Sequence, residues 1–307
     1  MNRIVVSTFP NAKALPLWIA VAEGFFLVRG LDVEIHETES SKVQRDALAA
    51  GQIQIAQAAV DNALSMITAG LGVIIVMGGE SGMNDFIVQP DIKGFDDLRG
   101  RTLVVDSPDT AYALLARKML AQRGLVYQVD YQLKPVGNAS RRLKAMLESR
   151  DNAGGVLNPP FSAEAQLRGL RSLGRLVDHL GPYQAGGAFV LRAWAEAHRS
   201  ELQAYICGYV EALRWLREDR NAATVEQMLA ERLDLTPEIA AATRRELLEP
   251  AFGFAIDARL DRAGFDNVLA TRAETEGEDP LLSDISTFVD ESYYEAAMSA
   301  IVKTQAN

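Results

Sequence analysis

Short apolar runs alternate with amphipathic segments over the first third of the chain. Residues 4–9 form a β-rich run, and residues 14–29 place apolar side chains at helical spacing. Strands are predicted at 31–35 and 53–58 and helices at 41–50 and 60–69, and the apolar run 73–77 is typical of a buried parallel strand. Strands that alternate with helices of about ten to fifteen residues predict βαβ units and a parallel sheet.

The alternation restarts after residue 100. Strands are predicted at 101–105, 131–136, 155–157 and 173–177, and the first helix between them has Ser107 as N-cap and Pro108 at its first position. Beyond a last strand at 189–191, amphipathic helices are predicted over 193–217, 221–233, 237–248, 257–273 and 290–303. We therefore predict a discontinuous α/β architecture, with a first lobe of residues 1–89 and 186–307, a second lobe of 90–185, and hinge crossings near 89–92 and 181–187.

Composition and charge narrow the functional classes. The 307 residues are 48% hydrophobic and 23% charged, as in an ordinary globular protein. The net charge of −10, without a basic cluster, argues against a nucleic-acid partner. No stretch reaches the roughly 20 apolar residues of a membrane span, so we expect no membrane insertion. No leader is visible, and we expect a periplasmic location if one has been removed and a cytoplasmic location otherwise.

Common catalytic motifs are missing from the sequence. It has no P-loop, no G-x-G-x-x-G, no H-E-x-x-H and no G-x-S-x-G. Cys207 lies in an amphipathic helical pattern, which favours a small buried hydrophobe over a nucleophile. Three histidines without metal-ligand spacing give no zinc site, so we expect neither a metal nor a cofactor.

Small and polar residues gather where the predicted strands end. Ligands of open parallel sheets bind at the carboxyl ends of the strands, and helices that begin there offer free N–H groups. The same residue types also serve βα turns and helix caps. Aromatic side chains nearby can stack on a ring, although core packing is the alternative for Trp18. The predicted ligand contacts are Phe9, Asn11, Trp18, Ser40, Ser41, Asp61, Asn62, Glu80, Ser107, Thr110, Asn158, Phe161 and Tyr183.

The charges in these loops constrain the ligand. Six carboxylates stand against two lysines, and no arginine lies in the loops to clamp an oxyanion; the charged residues are Glu39, Asp61, Glu80, Asp85, Asp106, Asp109, Lys13 and Lys42. A small dianion would be repelled. We therefore predict a neutral, cationic or heteroaromatic ligand, with a monoanion near Lys42 as the alternative.

Four stretches carry a resemblance to a known family. They are PLWIAVAEGFF at 16–26 followed by GLDVE at 30–34, ALAAGQIQIA at 47–56, IKGFDDLRGR at 92–101, and FVD at 288–290 with Tyr293-Tyr294. They resemble the substrate-binding proteins of the nitrate/sulfonate/taurine and thiamine-precursor (NMT1/THI5-like) class. In the second stretch, Gln54 stands where Asp is common in that class.

The resemblance implies a two-lobed type II periplasmic-binding fold. Each lobe would be a mostly parallel sheet flanked by helices, with extra helices at the C-terminus. The implied function is capture of a small organic molecule, such as a heteroaromatic, amine or sulfonate-like solute, for an ABC importer. The expected partners are that ligand and, if the protein is exported, the transporter permease, and we expect a monomer.

The same fold also includes cytosolic enzymes, which gives the alternative reading. An aromatic-acid decarboxylase or another lyase would use His36 or Glu80 as its acid/base. Similarity to a desulfinase would require a cysteine in the first strand-end loop, whereas Cys207 lies elsewhere. A third reading is a ligand-sensing regulatory module without a transporter.

Overall fold

The computed structural model describes residues 1–276 and 285–305, which build two lobes on separate five-stranded sheets. The first sheet has the strand order β2-β1-β3-β10-β4. Its strands are β1 (Asn2–Thr8), β2 (Leu31–Glu37), β3 (Ile55–Ala59), β4 (Val73–Gly78) and β10 (Gly186–Leu191). Strand β10 runs antiparallel to both of its neighbours, and the other four strands are mutually parallel.

The second sheet repeats this plan with the order β7-β6-β8-β5-β9. Its strands are β5 (Asp85–Val88), β6 (Arg101–Val105), β7 (Tyr131–Pro135), β8 (Asn152–Leu157) and β9 (Arg171–Arg175). Here β5 is the antiparallel strand. In both sheets the antiparallel strand is the one that follows a crossing between lobes. The prediction of two mostly parallel sheets is confirmed.

The first crossing lies earlier in the chain than the sequence indicates. The chain leaves the first sheet at Gly78 and joins the second at Asp85, and it returns between Leu180 and Gly186. Strand β5 therefore pairs in the second sheet, although we assigned residues 1–89 to the first lobe and the crossing to 89–92. A strand of four residues is too short to show a period of its own.

The two crossings lie against each other. The backbone N–H groups of Ala185 and Gly186 donate to the Glu80 carbonyl at 3.1 and 3.0 Å. A Cβ on Gly79 would stand 3.0 Å from the Gly186 carbonyl carbon, so this approach needs glycine. Residues 253–261, from the C-terminal part of the chain, pack over the two crossings. There the Gly79 carbonyl accepts from the N–H of Ala255 at 2.8 Å.

Seven helices flank the two sheets before the chain returns to the first lobe. They are α1 (Leu15–Ala22), α2 (Ser41–Ala49), α3 (Asp61–Thr68), α4 (Ala111–Ala121), α5 (Ala139–Glu148), α6 (Phe161–Leu167) and α7 (Leu176–Leu180). The predicted helix 14–29 is too long, because Gly24 adopts a φ of +75° just after α1. Helix α4 begins three residues later than predicted, because the Ser107 carbonyl accepts from the backbone N–H and the hydroxyl of Thr110.

The C-terminal part adds α8 (Arg192–Ala197), α9 (Arg199–Leu216), α10 (Ala222–Leu233), α11 (Pro237–Leu247), α12 (Arg262–Glu276) and α13 (Ser292–Gln305). His198, with φ −129° and ψ 44°, divides the single helix predicted over 193–217. Helix α9 carries the core of the first lobe, where Tyr205 stacks on Phe26 and Cys207 is buried as predicted. No helix that the structure describes is long and apolar enough to cross a membrane.

The FVD stretch at 288–290 completes the first lobe. The N–H of Ile75 in β4 donates to the Phe288 carbonyl at 2.7 Å, and Asp290 donates back to Ile75 at 3.0 Å. Phe288 is fully buried and packs against Phe265 of α12. This stretch therefore has a structural role at the outer edge of the sheet.

Candidate functional site

A cavity lies between the lobes, where the strand ends of both sheets face each other. The cavity has a volume of about 90 Å³, several times the volume of about 10–15 Å³ that one water requires. Most of its wall is apolar, from the side chains Phe9, Phe86, Leu103, Val104, Val105, Leu133, Val156 and Phe254 and several alanines. A few polar groups are set into this wall, as in sites for small organic molecules.

Seven of the thirteen predicted contacts line this cavity. They are Phe9, Asn11, Ser41, Asn62, Glu80, Thr110 and Asn158. Each follows a strand or begins a helix at the edge where the sheets face the cleft. The structure therefore brings these seven residues together, because parallel strands place their carboxyl ends at one edge of a sheet.

The three predicted aromatic contacts other than Phe9 lie outside the cavity. Trp18 is 1% exposed and packs in the core of the first lobe, which is the alternative that its helical spacing allowed. Phe161 packs against the small hydrophobic cluster behind the second sheet, and Tyr183 is buried in the cluster that joins the lobes. None of these rings lines the cavity.

Three predicted polar contacts also lie outside the cavity, and other groups of the protein bind their side chains. Ser40 is the N-cap of α2 and accepts from the Val43 N–H. Asp61 forms a buried ion pair with Arg272 of α12 at 3.0 Å. Ser107 bonds to the Asp109 carboxylate instead of capping α4. None of the three lines the cavity.

Two further residues named from the sequence, His36 and Lys42, lie outside the cavity. His36, the proposed alternative acid/base, has a side chain 56% exposed and pairs with Glu34 outside the cavity. Lys42, the proposed site for a monoanion, is 75% exposed and pairs with Asp46 at 2.5 Å, one turn along α2. Neither side chain lies among the cavity-lining groups.

A buried ion pair forms the floor of the cavity. Lys13 Nζ lies 2.6 Å from Glu80 Oε1, and it also donates to Asn84 Oδ1 at 3.2 Å and to the Tyr112 hydroxyl at 3.3 Å. The second Glu80 oxygen accepts from the Gly82 N–H at 2.8 Å. Burial opposes the charge on Lys13, but the Glu80 carboxylate and the Tyr112 hydroxyl outweigh it and raise the pKa of Lys13. Lys13 therefore keeps its charge, and its bond to Tyr112 connects the pair to the second lobe.

An arginine that the loop analysis did not find also lines the cavity. Arg142 of α5 is 5% exposed and donates from Nε to the Val156 carbonyl at 3.1 Å and from Nη1 to the Gly137 carbonyl at 2.8 Å. No carboxylate of the described residues lies within 4.0 Å of it, and burial lowers the pKa of Arg142. The available signal was a charged residue on the apolar face of the helix, beside Leu143 and Met146.

Asp106, in the loop after β6, reaches across the cleft to the first lobe. Its Oδ2 atom accepts from the backbone N–H of Ser41 at 3.0 Å and from the Ser41 hydroxyl. Ser41 is the first residue of α2, so a carboxylate of one lobe binds the N-terminus of a helix in the other. The Oδ1 atom of Asp106 is buried and has no hydrogen-bond partner among the described residues.

Gln57, Asn158 and Tyr209 are further polar residues in the wall. Gln57 donates to the Tyr209 hydroxyl at 3.3 Å and accepts from Tyr205 at 3.0 Å. Asn158 is 5% exposed, and its Oδ1 atom has no partner in the part of the chain that the structure describes. Within residues 1–276 and 285–305, no three His, Cys, Asp or Glu side chains are grouped so as to hold a metal ion.

The mouth of the cavity is closed by contacts between the lobes. We define the mouth contacts as the Glu39–Arg141 ion pair at 2.8 Å, the Arg45–Asp109 ion pair at 3.5 Å and the bond from the Asn138 N–H to the Glu39 carbonyl at 3.2 Å. All three join α2 or the loop before it to the second lobe. They hold the two lobes together across the cleft.

The sequence model of the NMT1-like family matches residues 2–230, well over half of the chain. This match includes three of the four stretches that carry the resemblance. No curated protein matches the chain in sequence.

Solved structures share its two-lobed fold along nearly the whole chain. A protein of Bordetella bronchiseptica RB50 has a TM-score of 0.84 at 20% identity, with 98% of each chain covered. The periplasmic nitrate-binding protein NrtA of Synechocystis PCC 6803 has a TM-score of 0.78 at 16% identity, covering 97% of this chain and 88% of that one. The alkanesulfonate-binding protein SsuA of Xanthomonas axonopodis pv. citri, bound to MOPS, has a TM-score of 0.74 at 18% identity, covering 92% and 95%. At these identities the likeness establishes the fold, which is that of periplasmic binding proteins.

Proposed function

This chain belongs to the NMT1-like family, and we propose that it is a solute-binding protein that captures a small organic molecule between its lobes for an ABC importer. The observation that carries the proposal is the cavity enclosed between the strand ends of the two sheets. A solute bound there touches both lobes at once. It therefore favours the closed arrangement over an open one by its differential affinity for the two.

The polar groups of the cavity support binding rather than turnover. Glu80 has one oxygen on Lys13 and the other on backbone N–H groups, so both oxygens are engaged. Lys13 donates to three acceptors. His36, the other proposed acid/base, lies outside the cavity. The ionisable groups of the floor therefore hold the closed lobes together and are poorly placed to exchange protons with a solute.

The proposed role implies a transporter permease as the partner and the periplasm as the location, in the manner of the binding proteins with which the chain shares its fold. Cell fractionation of the native host tests the location. Recovery of the protein in the cytoplasmic fraction would favour the ligand-sensing alternative.

The test of solute binding combines thermal unfolding with recovery of the solute. Purified protein is screened against pyrimidines, amides, amines, sulfonates, aromatic carboxylates and nitrate. We expect a solute that raises the melting temperature in proportion to the logarithm of its concentration and is recovered unchanged by mass spectrometry. A solute that is consumed would contradict the proposal and favour an enzyme.

A matched pair of variants locates the binding. Ala58 lines the cavity, so Ala58→Phe should fill it and abolish the shift in melting temperature. Ala50, at the exposed end of α2, provides the control Ala50→Phe, which should leave the shift unchanged. Equal shifts in both variants would place the solute outside the cleft.

A further inference from the structure

The charges that line the cavity cancel. Two cations, Lys13 and Arg142, stand with two carboxylates, Glu80 and Asp106. Lys13 and Glu80 neutralise each other at 2.6 Å, and the charge of Asp106 acts on Arg142, so neither of these two charges is uncompensated. Moving a net charge from water into an enclosed, mostly apolar cavity is costly unless an opposite charge is free to receive it. The balance therefore favours a solute with no net charge.

The Asp106 carboxylate binds at the N-terminus of helix α2, where an anionic group of a solute could otherwise bind. The first N–H groups of α2, a helix of nine residues, carry the positive end of its dipole and attract negative groups. The Ser41 N–H and hydroxyl both donate to Asp106 Oδ2. A solute with an anionic head group would have to displace this carboxylate or lie beside it and be repelled.

The atoms left for a solute define its head group. Asp106 Oδ1 and Asn158 Oδ1 are buried acceptors without a partner among the described residues, and they require an N–H or O–H donor. Arg142 has two nitrogens on backbone carbonyls and no carboxylate within 4.0 Å in the described part of the chain, so it can also donate to an oxygen acceptor of the solute. A carboxamide or lactam offers a donor and an acceptor together without a net charge.

We propose that Asp106 makes the cleft selective for solutes without net charge, and that the solute is a small, largely apolar molecule with an amide-type head group. This inference rests on the proposed function and names its substrate class. The apolar body of the solute packs against Phe9, Phe86 and Phe254, while its head group binds Asp106, Asn158 and Arg142. Asp106 then determines specificity through a bond that also joins the two lobes.

Four probes that share one ring test the head group. Isothermal titration calorimetry compares benzamide, benzoate, benzenesulfonate and benzamidine on the wild-type protein. We expect benzamide to bind at least about tenfold more tightly than any charged probe. Charged probes that bind as tightly as benzamide, or an absence of benzamide binding, would overturn the proposed substrate class.

The variant Asp106→Asn tests the role of Asp106 itself. It keeps an oxygen for Ser41 but removes the charge, so we expect the ratio of benzoate to benzamide affinity to rise about tenfold or more. Asp151→Asn is the control, because Asp151 is an exposed carboxylate just before β8 that does not line the cavity, and its ratio should remain unchanged. Asp106→Ser, checked by circular dichroism, serves if Asp106→Asn does not fold.

The outcomes separate the two levels of inference. An unchanged ratio in a folded Asp106 variant would overturn the role of Asp106 while leaving solute binding intact. Preferential binding of benzoate or benzenesulfonate by the wild type would likewise retain a solute-binding protein and reject the neutral class. Release of ammonia from benzamide would instead contradict the proposed function.

Discussion

The mouth and the floor of the cavity are both closed by ion pairs, but the two regions differ in burial. At the mouth, the side chains of Glu39 and Arg141 are 69% and 51% exposed. At the floor, those of Lys13 and Glu80 are 14% and 3% exposed. Exposed pairs contribute about 0–1 kcal/mol, whereas removing one partner of a buried pair costs about 3–5 kcal/mol. The floor therefore sets the geometry of the cleft, and the mouth contacts can open at little cost.

The largest effect should follow from Glu80→Ala. It leaves the ammonium group of Lys13 buried without its carboxylate and removes the acceptor for the Gly82 N–H. We expect the free energy of unfolding to fall by about 3–5 kcal/mol in urea titrations at pH 7. The mouth variant Glu39→Ala serves for comparison. Equal losses of unfolding free energy in the two variants would show that the ion pairs of the floor and the mouth contribute equally despite their different burial.

A smaller loss should follow from a methyl group added beside the floor. A Cβ on Gly187 would stand 2.8 Å from the Met77 carbonyl and 2.7 Å from a Val60 methyl carbon. Gly187→Ala should therefore destabilise the protein by about 1–3 kcal/mol, measured by thermal unfolding. Gly94→Ala is the control, since no atom lies within 4 Å of its added Cβ. A Gly187→Ala protein as stable as the wild type would mean that Val60 and Met77 can move away from the added methyl group at no cost.

Glu246 of α11, near the floor residue Lys13, should make the stability of the protein depend on pH. Burial, together with the Asp85 carboxylate, raises the pKa of Glu246 to about 7, against the opposing charges of Arg175 and Lys13. Between pH 4.5, the ordinary pKa of a glutamate, and pH 7, Glu246 keeps its proton in the folded protein and loses it in the unfolded chain. The free energy of unfolding therefore falls as the pH rises from about 4.5 to 7.

Glu246→Gln should remove that decline. We expect the variant to be more stable than the wild type by about 2 kcal/mol at pH 8 and equal to it at pH 4. Urea titrations at the two pH values measure the difference. A gain of the same size at pH 4 would assign the effect to packing instead of to the carboxylate charge.

The smallest effect should come from the mouth. Arg141→Gln removes the ion pair with Glu39, and we expect the unfolding free energy to change by about 0.5 kcal/mol or less. The solute affinity should respond only at low ionic strength, because salt screens exposed charges. A loss above about 2 kcal/mol would place the mouth on a level with the floor and contradict the comparison.

Local patterns predicted most of the fold, and long-range contacts account for what they missed. Alternating strands and helices gave the two lobes, and strand ends gave Asn62 and Asn158. The bond between Ser41 and Asp106 joins residues 65 positions apart, and neither residue alone shows it. The sequence analysis did not predict Arg142 as a site residue, because it lies inside helix α5 and the prediction considered only the loops at strand ends. Trp18 was assigned to the site although its spacing already indicated the core.

The place of β10 in the first sheet bears on how a nascent chain acquires its structure. All five strands of the second sheet lie within residues 85–175, so that lobe can form as a continuous unit. In the first sheet, β10 stands between β3 and β4, so β4 has no neighbouring strand until synthesis passes residue 191. The first sheet therefore becomes complete after the second, although four of its strands precede the second sheet in the chain. Its apolar strand β4 stays without a strand partner until β10, more than a hundred residues downstream, has been synthesised.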